Sequence, residues 1–240
     1  RGPIYNLVYK LIMKNIFARG GIEFLAVLLG ISSSFWIDNN SKQAEEDSKR
    51  NQVYVMLQNQ VDELLQYSNS KLSQYDTQLA RFQNLVDNWS SFDLKNAPDK
   101  NDYIKDIWFS ISNAYYPDFS IYETLMNNGD INLVDFEVIL KFGRLYRSMD
   151  GINSVQEKER EWRDFIENHL MQNYSDLFST FGLPFGLFDF FAASKDDQVI
   201  YAHLKSILSV QGARRSRVQA LRDNMKDIQA QLVELKERDL

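Results

Sequence analysis

At 240 residues the chain has room for one large domain or two small ones, and its 44% hydrophobic and 25% charged content is that of a folded protein. A formal net charge of -6 argues against a general nucleic-acid binder, because phosphate recognition needs a basic face. The absence of cysteine excludes disulfide frameworks and thiolate metal sites, and only 10 Gly and 4 Pro disfavour both a strand-and-turn architecture and disorder.

The chain begins with Arg1 rather than Met, as expected of a processed or incomplete start. Ile4, Leu7, Val8, Leu11 and Ile12 recur at helical spacing, with Lys10, Lys14 and Arg19 as the cations. This pattern predicts an amphipathic interfacial helix over 1–19, lying along a membrane surface. Gly20 and Gly21 would let the chain turn from there into a transmembrane helix over 20–37; the alternative is one long hydrophobic helix with a kink.

Residues 22–37 read IEFLAVLLGISSSFWI and carry one formal charge, Glu23. The run falls short of the ~20 apolar residues of an ordinary span, and snorkelling flanks can make up the difference. The adjoining segment, DNNSKQAEEDSKRNQ, is abruptly polar, and Trp36 sits where an interfacial aromatic belongs. The competing reading is a buried helix of a soluble protein. Arg1, Lys10, Lys14 and Arg19 precede the span, whereas Lys42, Lys49 and Arg50 come after it at a greater distance. That asymmetry favours a cytoplasmic N-terminus and a large domain, 38–240, on the far side. Glu23 lies about one turn inside the span, where it can snorkel, pair with Arg19 or favour the helix start; a structural or assembly role is expected of it, and ion or proton coupling is the weaker alternative.

Between about 41 and 92 there is no Gly or Pro, and two runs, Val53, Leu57, Val61 and Leu64, then Leu72, Tyr75, Leu79 and Phe82, recur three or four apart. One long helix is expected, approaching ~60 Å at 1.5 Å per residue, too long to be buried in a small domain of its own. Shorter helices are expected over about 102–175. The first, 103–116, is stopped by Pro117. The next starts at Ser120, where Ser120 and Glu123 have the spacing of a capping box, Tyr122 lies between them, and Gly129 supplies a left-handed stop. Asp135 is placed to cap a helix over 136–149, and another is expected from Ile152 to about Tyr174. An aromatic loop, about 178–192, contains FGLP and FGLFDFF and reads as a bundle plug or a protein contact.

A long C-terminal helix is expected over about 195–238. Val218, Leu221, Met225, Ile228, Leu232 and Leu235 alternate three and four apart, which is a coiled-coil seam with charged residues between. The seam can pair antiparallel with the chain's own long helix or parallel with another copy; spacing does not choose. The cluster Arg214-Arg215-Ser216-Arg217 reads as a salt-bridged helix surface, or as a contact with anionic headgroups if the helix returns to a bilayer.

Two stretches resemble an uncharacterised family of single-span inner-membrane proteins abundant in Bacteroidota: GIEFLAVLLGISSSFWIDNNSKQ over 21–43 and IYETLMNNGDINLV over 121–134. The N-terminal stretch is similar to the family's Gly-Glu-aliphatic span, with Ile22 standing here between Gly21 and Glu23. The other is similar to its Tyr-Glu-x-Leu…Gly-x-Ile/Leu-Asn-Leu segment. The resemblance implies a bacterial inner-membrane protein with a helical extramembrane domain and implies no activity.

No phosphate loop, nucleophile elbow or metal-ligand spacing stands out, and His169 and His203 read as helix-packed or solvated. No cofactor, metal or enzymatic activity is expected. The fold class is therefore all-α: an interfacial helix and a transmembrane helix, then an extended helical bundle with long coiled-coil-like first and last helices. The expected function is that of a membrane-anchored structural or interaction subunit with its domain in the periplasm, whose partners are the lipid bilayer and itself or other membrane proteins. The alternative is an extracytoplasmic sensing bundle that binds a small-molecule ligand and signals through a partner; a buried polar cluster in the bundle core would favour it.

Overall fold

The computed structural model describes the backbone of residues 3–108, 113–175 and 192–238, and the side chains of residue 32 and of residues 40–107, 113–175 and 192–236. The fold is all-α, with no strand among the described residues. Its helices are α1 (Pro3–Asp87), α2 (Lys100–Trp108), α3 (Ser120–Asn128), α4 (Phe136–Asn173) and α5 (Gln198–Arg238), with 3-10 turns at Leu94–Asn96 and Asp130–Leu133. The chain divides into two compact units, Arg1–Gln52 and Val53–Leu240.

In the first unit the helix passes through Gly20 and Gly21 without interruption, so the turn expected between 1–19 and 20–37 is not formed. Each glycine costs a helix about 1 kcal/mol relative to alanine but keeps its N–H, so the hydrogen-bond ladder continues. The side chains of Arg19, Glu23 and Trp36 lie outside the described residues. Residues 40–49 are exposed on every side, and Arg50 pairs with Asp47 at 3.3 Å. Among the described residues no helix is long and apolar enough to cross a membrane.

The second unit is built on three long helical segments. Gln78 meets Arg214, Asp76 meets Arg215 and Asp62 meets Gln229, so α5 runs antiparallel to this part of α1. Glu159 meets Arg214 and Glu137 meets Gln231, so α5 is antiparallel to α4 as well. The seam Val218, Leu221, Met225, Ile228, Leu232 and Leu235 is thus used inside the chain: every member is buried, in one cluster with Val53, Leu57 and Val61 of α1 and Val138, Phe142 and Leu145 of α4. Fully burying each such side chain stabilises the fold by ~1.5–3 kcal/mol. A second core gathers Phe82, Leu85 and Trp89 with Ile104, Ile107, Ile166, Leu170, Ile200 and Leu204.

Two expected boundaries differ. Helix α4 is continuous where a break near 149–152 is expected. Gly151 serves there as a point of close approach, since a Cβ on it would collide with Arg217 Nη1. Helix α2 is described over Lys100–Trp108, and residues 114–119 are not helical, so the helix expected over 103–116 does not run up to Pro117. The aromatic loop expected at about 178–192 falls mostly outside the described residues.

Candidate functional site

Between the two apolar cores, three consecutive inward positions of α4 are polar. Ile152 and Ile166 hold the flanking positions, and Gln156, Glu159 and Arg163 stand between them, all buried. Glu159 is the centre. Its Oε1 accepts from Arg163 Nη2 at 2.9 Å and from Gln211 Nε2 at 3.1 Å, and its Oε2 accepts from Arg214 Nη1 at 2.6 Å. Arg214 also donates to Gln78 Oε1 at 3.1 Å, and its guanidinium lies 4.4 Å from the centroid of the Tyr75 ring, a cation–π contact. Arg163 reaches the carbonyls of Ile107 and Asp106, closing the end of α2.

At the rim of the layer, Asp106 accepts from Arg81 at 2.7 Å. Burial pushes the Asp106 carboxyl above its ordinary value against the pull of Arg81. Burial alone would lower Arg81, but the bond and charge of Asp106 outweigh it and hold it high. The two directions differ because Asp106 is the deeper partner: its side chain is 3% exposed and that of Arg81 20%. Burial likewise holds Arg163 below its ordinary value, opposed by Glu159. The layer leaves Arg163 Nε, Arg214 Nε, Gln78 Nε2 and Gln211 Oε1 without protein partners.

Alongside this layer runs the stretch 113–119, non-helical from 114 on, whose backbone is held by side chains. Tyr75 Oη donates to the Asn113 carbonyl at 2.7 Å, and the Tyr116 N–H donates to Tyr67 Oη at 3.0 Å. Gln156 Oε1 accepts from the Tyr115 N–H. Gln60 does two jobs, donating to the Asp118 carbonyl at 2.7 Å and accepting from the Tyr122 N–H at 2.9 Å. Buried backbone groups need such partners, and polar residues of α1 and α4 supply them in place of a helix. This stretch, α3 and α4 enclose a groove of about 400 Å³ lined by residues including Tyr116, Phe119, Glu123, Tyr146, Asp150 and Arg160.

The expected capping box at the start of α3 is not formed. Phe119 is the N-cap and makes no side-chain cap bond. Asp118 replaces it, accepting from the Ser120 N–H at 2.8 Å, and this bond holds the Asp118 carboxyl below its ordinary value. Glu123 is turned to α4 instead and accepts from Tyr146 Oη at 3.0 Å. Tyr122 is buried and stacked on Phe142, with centroids 5.5 Å apart. Gly129 ends α3 in the left-handed region at φ 81°. Of the basic cluster, Arg214 is buried in the ionic layer and Arg215 pairs with Asp76 at 2.8 Å.

At the far end of the bundle, His169 Nε2 lies 2.7 Å from Asp197 Oδ2, which also accepts from Tyr174 Oη at 2.9 Å. The other oxygen of Asp197 accepts from the N–H groups of Val199 and Ile200, capping α5. Burial alone would raise Asp197, but these bonds outweigh it and hold the carboxyl low. Among the described residues no three His, Asp or Glu side chains are grouped to hold a metal ion.

Sequence reasoning passes over Glu159, Arg163, Gln211 and Asp106. The legible signal is a 3–4 repeat in α4, Ile152, Gln156, Glu159, Arg163, Ile166 and Leu170, whose middle is polar. No family model, curated protein or solved structure matches the chain.

Proposed function

We propose that the chain is a bacterial inner-membrane protein anchored by a single span over 20–37, with its N-terminus in the cytoplasm and its helical bundle in the periplasm as an interaction module. One observation carries this reading: the apolar run 22–37 is followed directly by the polar, fully exposed stretch 40–49. An exposed polar stretch directly after an apolar run is what a helix leaving a bilayer requires. The resemblance of 21–43 and 121–134 to single-span inner-membrane proteins supports the same reading.

The seam from Val218 to Leu235 is occupied within the chain, so partners meet the outer faces of the bundle rather than a coiled-coil edge. Membrane fractions washed with carbonate test the anchor. The full chain is expected to stay in the pellet, and a chain lacking 1–37 to be released. Alkaline phosphatase fused after Leu240 is expected to be active. Release of the full chain by carbonate would overturn the anchor, and an inactive fusion would overturn the orientation. Mass spectrometry of the detergent-extracted protein then identifies what co-purifies in fixed ratio; a bare monomer would overturn the assembly role.

A second reading, a ligand-sensing bundle acting through a partner, is favoured by the buried Glu159–Arg163–Arg214 layer and the groove beside it. Polar groups converging next to a preformed concavity are the usual anatomy of a small-molecule site.

A further inference from the structure

We propose that the groove between residues 116–119, α3 and α4 binds a small organic cation, a ligand carrying an alkylated or primary ammonium group. The proposal deepens the ligand-binding reading and rests on it, independently of the membrane anchor.

The volume of about 400 Å³ lies at the small end of the range for ligand pockets and admits a simple amine or amino alcohol with room for water beside it. The aromatic wall is backed by a further ring: the buried Phe119 packs edge to face on Tyr146, with centroids 5.4 Å apart at 84°. Tyr116 lines the same groove and is 61% exposed, and Tyr146 is 43% exposed, so both offer ring surface to a ligand. A cation over such rings is held by their quadrupoles, best when ~6 Å or less from a centroid.

Charge on the rim has the matching sign. Glu123, Asp150 and Glu157 set three carboxylates against the one guanidinium of Arg160, a net of two negative charges. Arg160 is itself engaged with Glu157 at 3.6 Å. Glu123 binds the neutral Tyr146 hydroxyl and so keeps its charge available. The hydrogen bond to Glu123 and its charge, then burial and the charge of Asp150, hold the Tyr146 hydroxyl above its ordinary value.

The walls are also set before a ligand arrives. The bonds from Gln156 to the Tyr115 backbone, from Tyr67 to the Tyr116 N–H and from Gln60 to the Asp118 carbonyl fix the loop on the bundle. A preformed aromatic wall with uncompensated carboxylates loses little entropy on binding and discriminates by charge. An anion is repelled by the rim, and a neutral isostere gains only apolar contact.

The test uses the full chain in a maltoside detergent, with choline, 1,4-diaminobutane and the uncharged choline isostere 3,3-dimethyl-1-butanol as probes. Calorimetry and saturation-transfer NMR at low salt are expected to show binding of at least one cation, roughly tenfold or more tighter than the isostere. Tyr116→Ala and Asp150→Asn, both at exposed positions, are expected to weaken that binding several-fold, and Phe165→Ala, away from the groove, to leave it unchanged. Equal binding of cation and isostere, no binding of either cation, or full binding by both groove variants would each overturn the proposal. Carbonate-resistant retention in the membranes from which the protein is extracted would show that the anchor stands even if the cation site fails.

Discussion

Arg214 Nη1 lies 2.6 Å from Glu159 Oε2, and neither side chain is more than 3% exposed. Arg163 shares the same carboxylate from one turn further along α4. One acid therefore faces two guanidiniums in a buried layer, and the surplus positive charge is spread onto Gln78, the Tyr75 ring and two backbone carbonyls. Buried ionic groups are costly to desolvate, and their removal one at a time is costlier still, because the partner is left charged and unpaired.

Glu159→Ala is therefore expected to destabilise the bundle by about 3–5 kcal/mol, the usual cost of breaking a buried ion pair. The triple replacement Glu159→Leu, Arg163→Met and Arg214→Met is expected to regain most of that loss, since apolar groups of similar volume need no partners. Thermal and denaturant unfolding followed by circular dichroism gives both values. A single variant as stable as the parent would show that the layer is hydrated and carries no such penalty.

The long helices were legible because their periodicity is an unbroken physical requirement. A residue three or four positions on returns to the same face, and Val218 to Leu235 obey this without exception. The partner of that seam was not legible, because an apolar stripe is equally satisfied by its own chain or by another; only pairs such as Asp76 with Arg215 and Asp62 with Gln229 fix the choice. The Ser120–Glu123 spacing fitted a capping box, yet the nearby acid Asp118 took the amide and Tyr146 took Glu123. Local motifs state what a residue can do and not which competing partner wins. The groove arose from bonds between residues about 40 to 60 positions apart, for which a sequence has no period.

Two glycines in one chain test two different reasons for glycine. At φ 81°, Gly129→Ala places a Cβ in the left-handed region and is expected to cost about 1–2 kcal/mol. Gly151 has helical geometry, and its obstacle is the far end of the Arg217 side chain, which can swing away. Gly151→Ala is expected to be neutral or to stabilise by up to about 1 kcal/mol through helix propensity. Denaturant midpoints of the two variants check this, and a large loss at Gly151 would mean that Arg217 is held in place.

Asp197 joins the start of α5 to the end of α4. Its carboxyl is held below its ordinary value, so the folded state binds its proton later than the unfolded state as pH falls. Its contribution is present above about pH 4 and is lost as pH drops through the folded value. Asp197→Asn keeps one cap acceptor but loses the carboxylate oxygen shared by His169 and Tyr174, and a loss of about 1 kcal/mol at neutral pH is expected. The gap between parent and variant, measured by unfolding at pH 7 and pH 3, should narrow at the lower pH. A gap that is constant with pH would mean that the carboxylate charge contributes nothing.

His203 works in the opposite direction from a stabilising histidine. Its ring stacks on Phe165, with centroids 5.6 Å apart at 11°, and lies 5.2 Å from the Trp162 ring. Burial, and then the charge of His169, hold it below the ordinary imidazole value, with Asp197 opposing them. The unfolded chain therefore takes up this proton first as pH falls below about 6.5, and stability falls with it. Its buried Nδ1 also lacks a protein partner. His203→Phe keeps the stack, removes the proton and removes the orphaned nitrogen. The variant is expected to be at least as stable as the parent at pH 7.5 and to lose less on acidification to pH 5. Melting temperatures at the two pH values decide it: an identical drop in both proteins would move the acid sensitivity of this end of the bundle to groups other than His203.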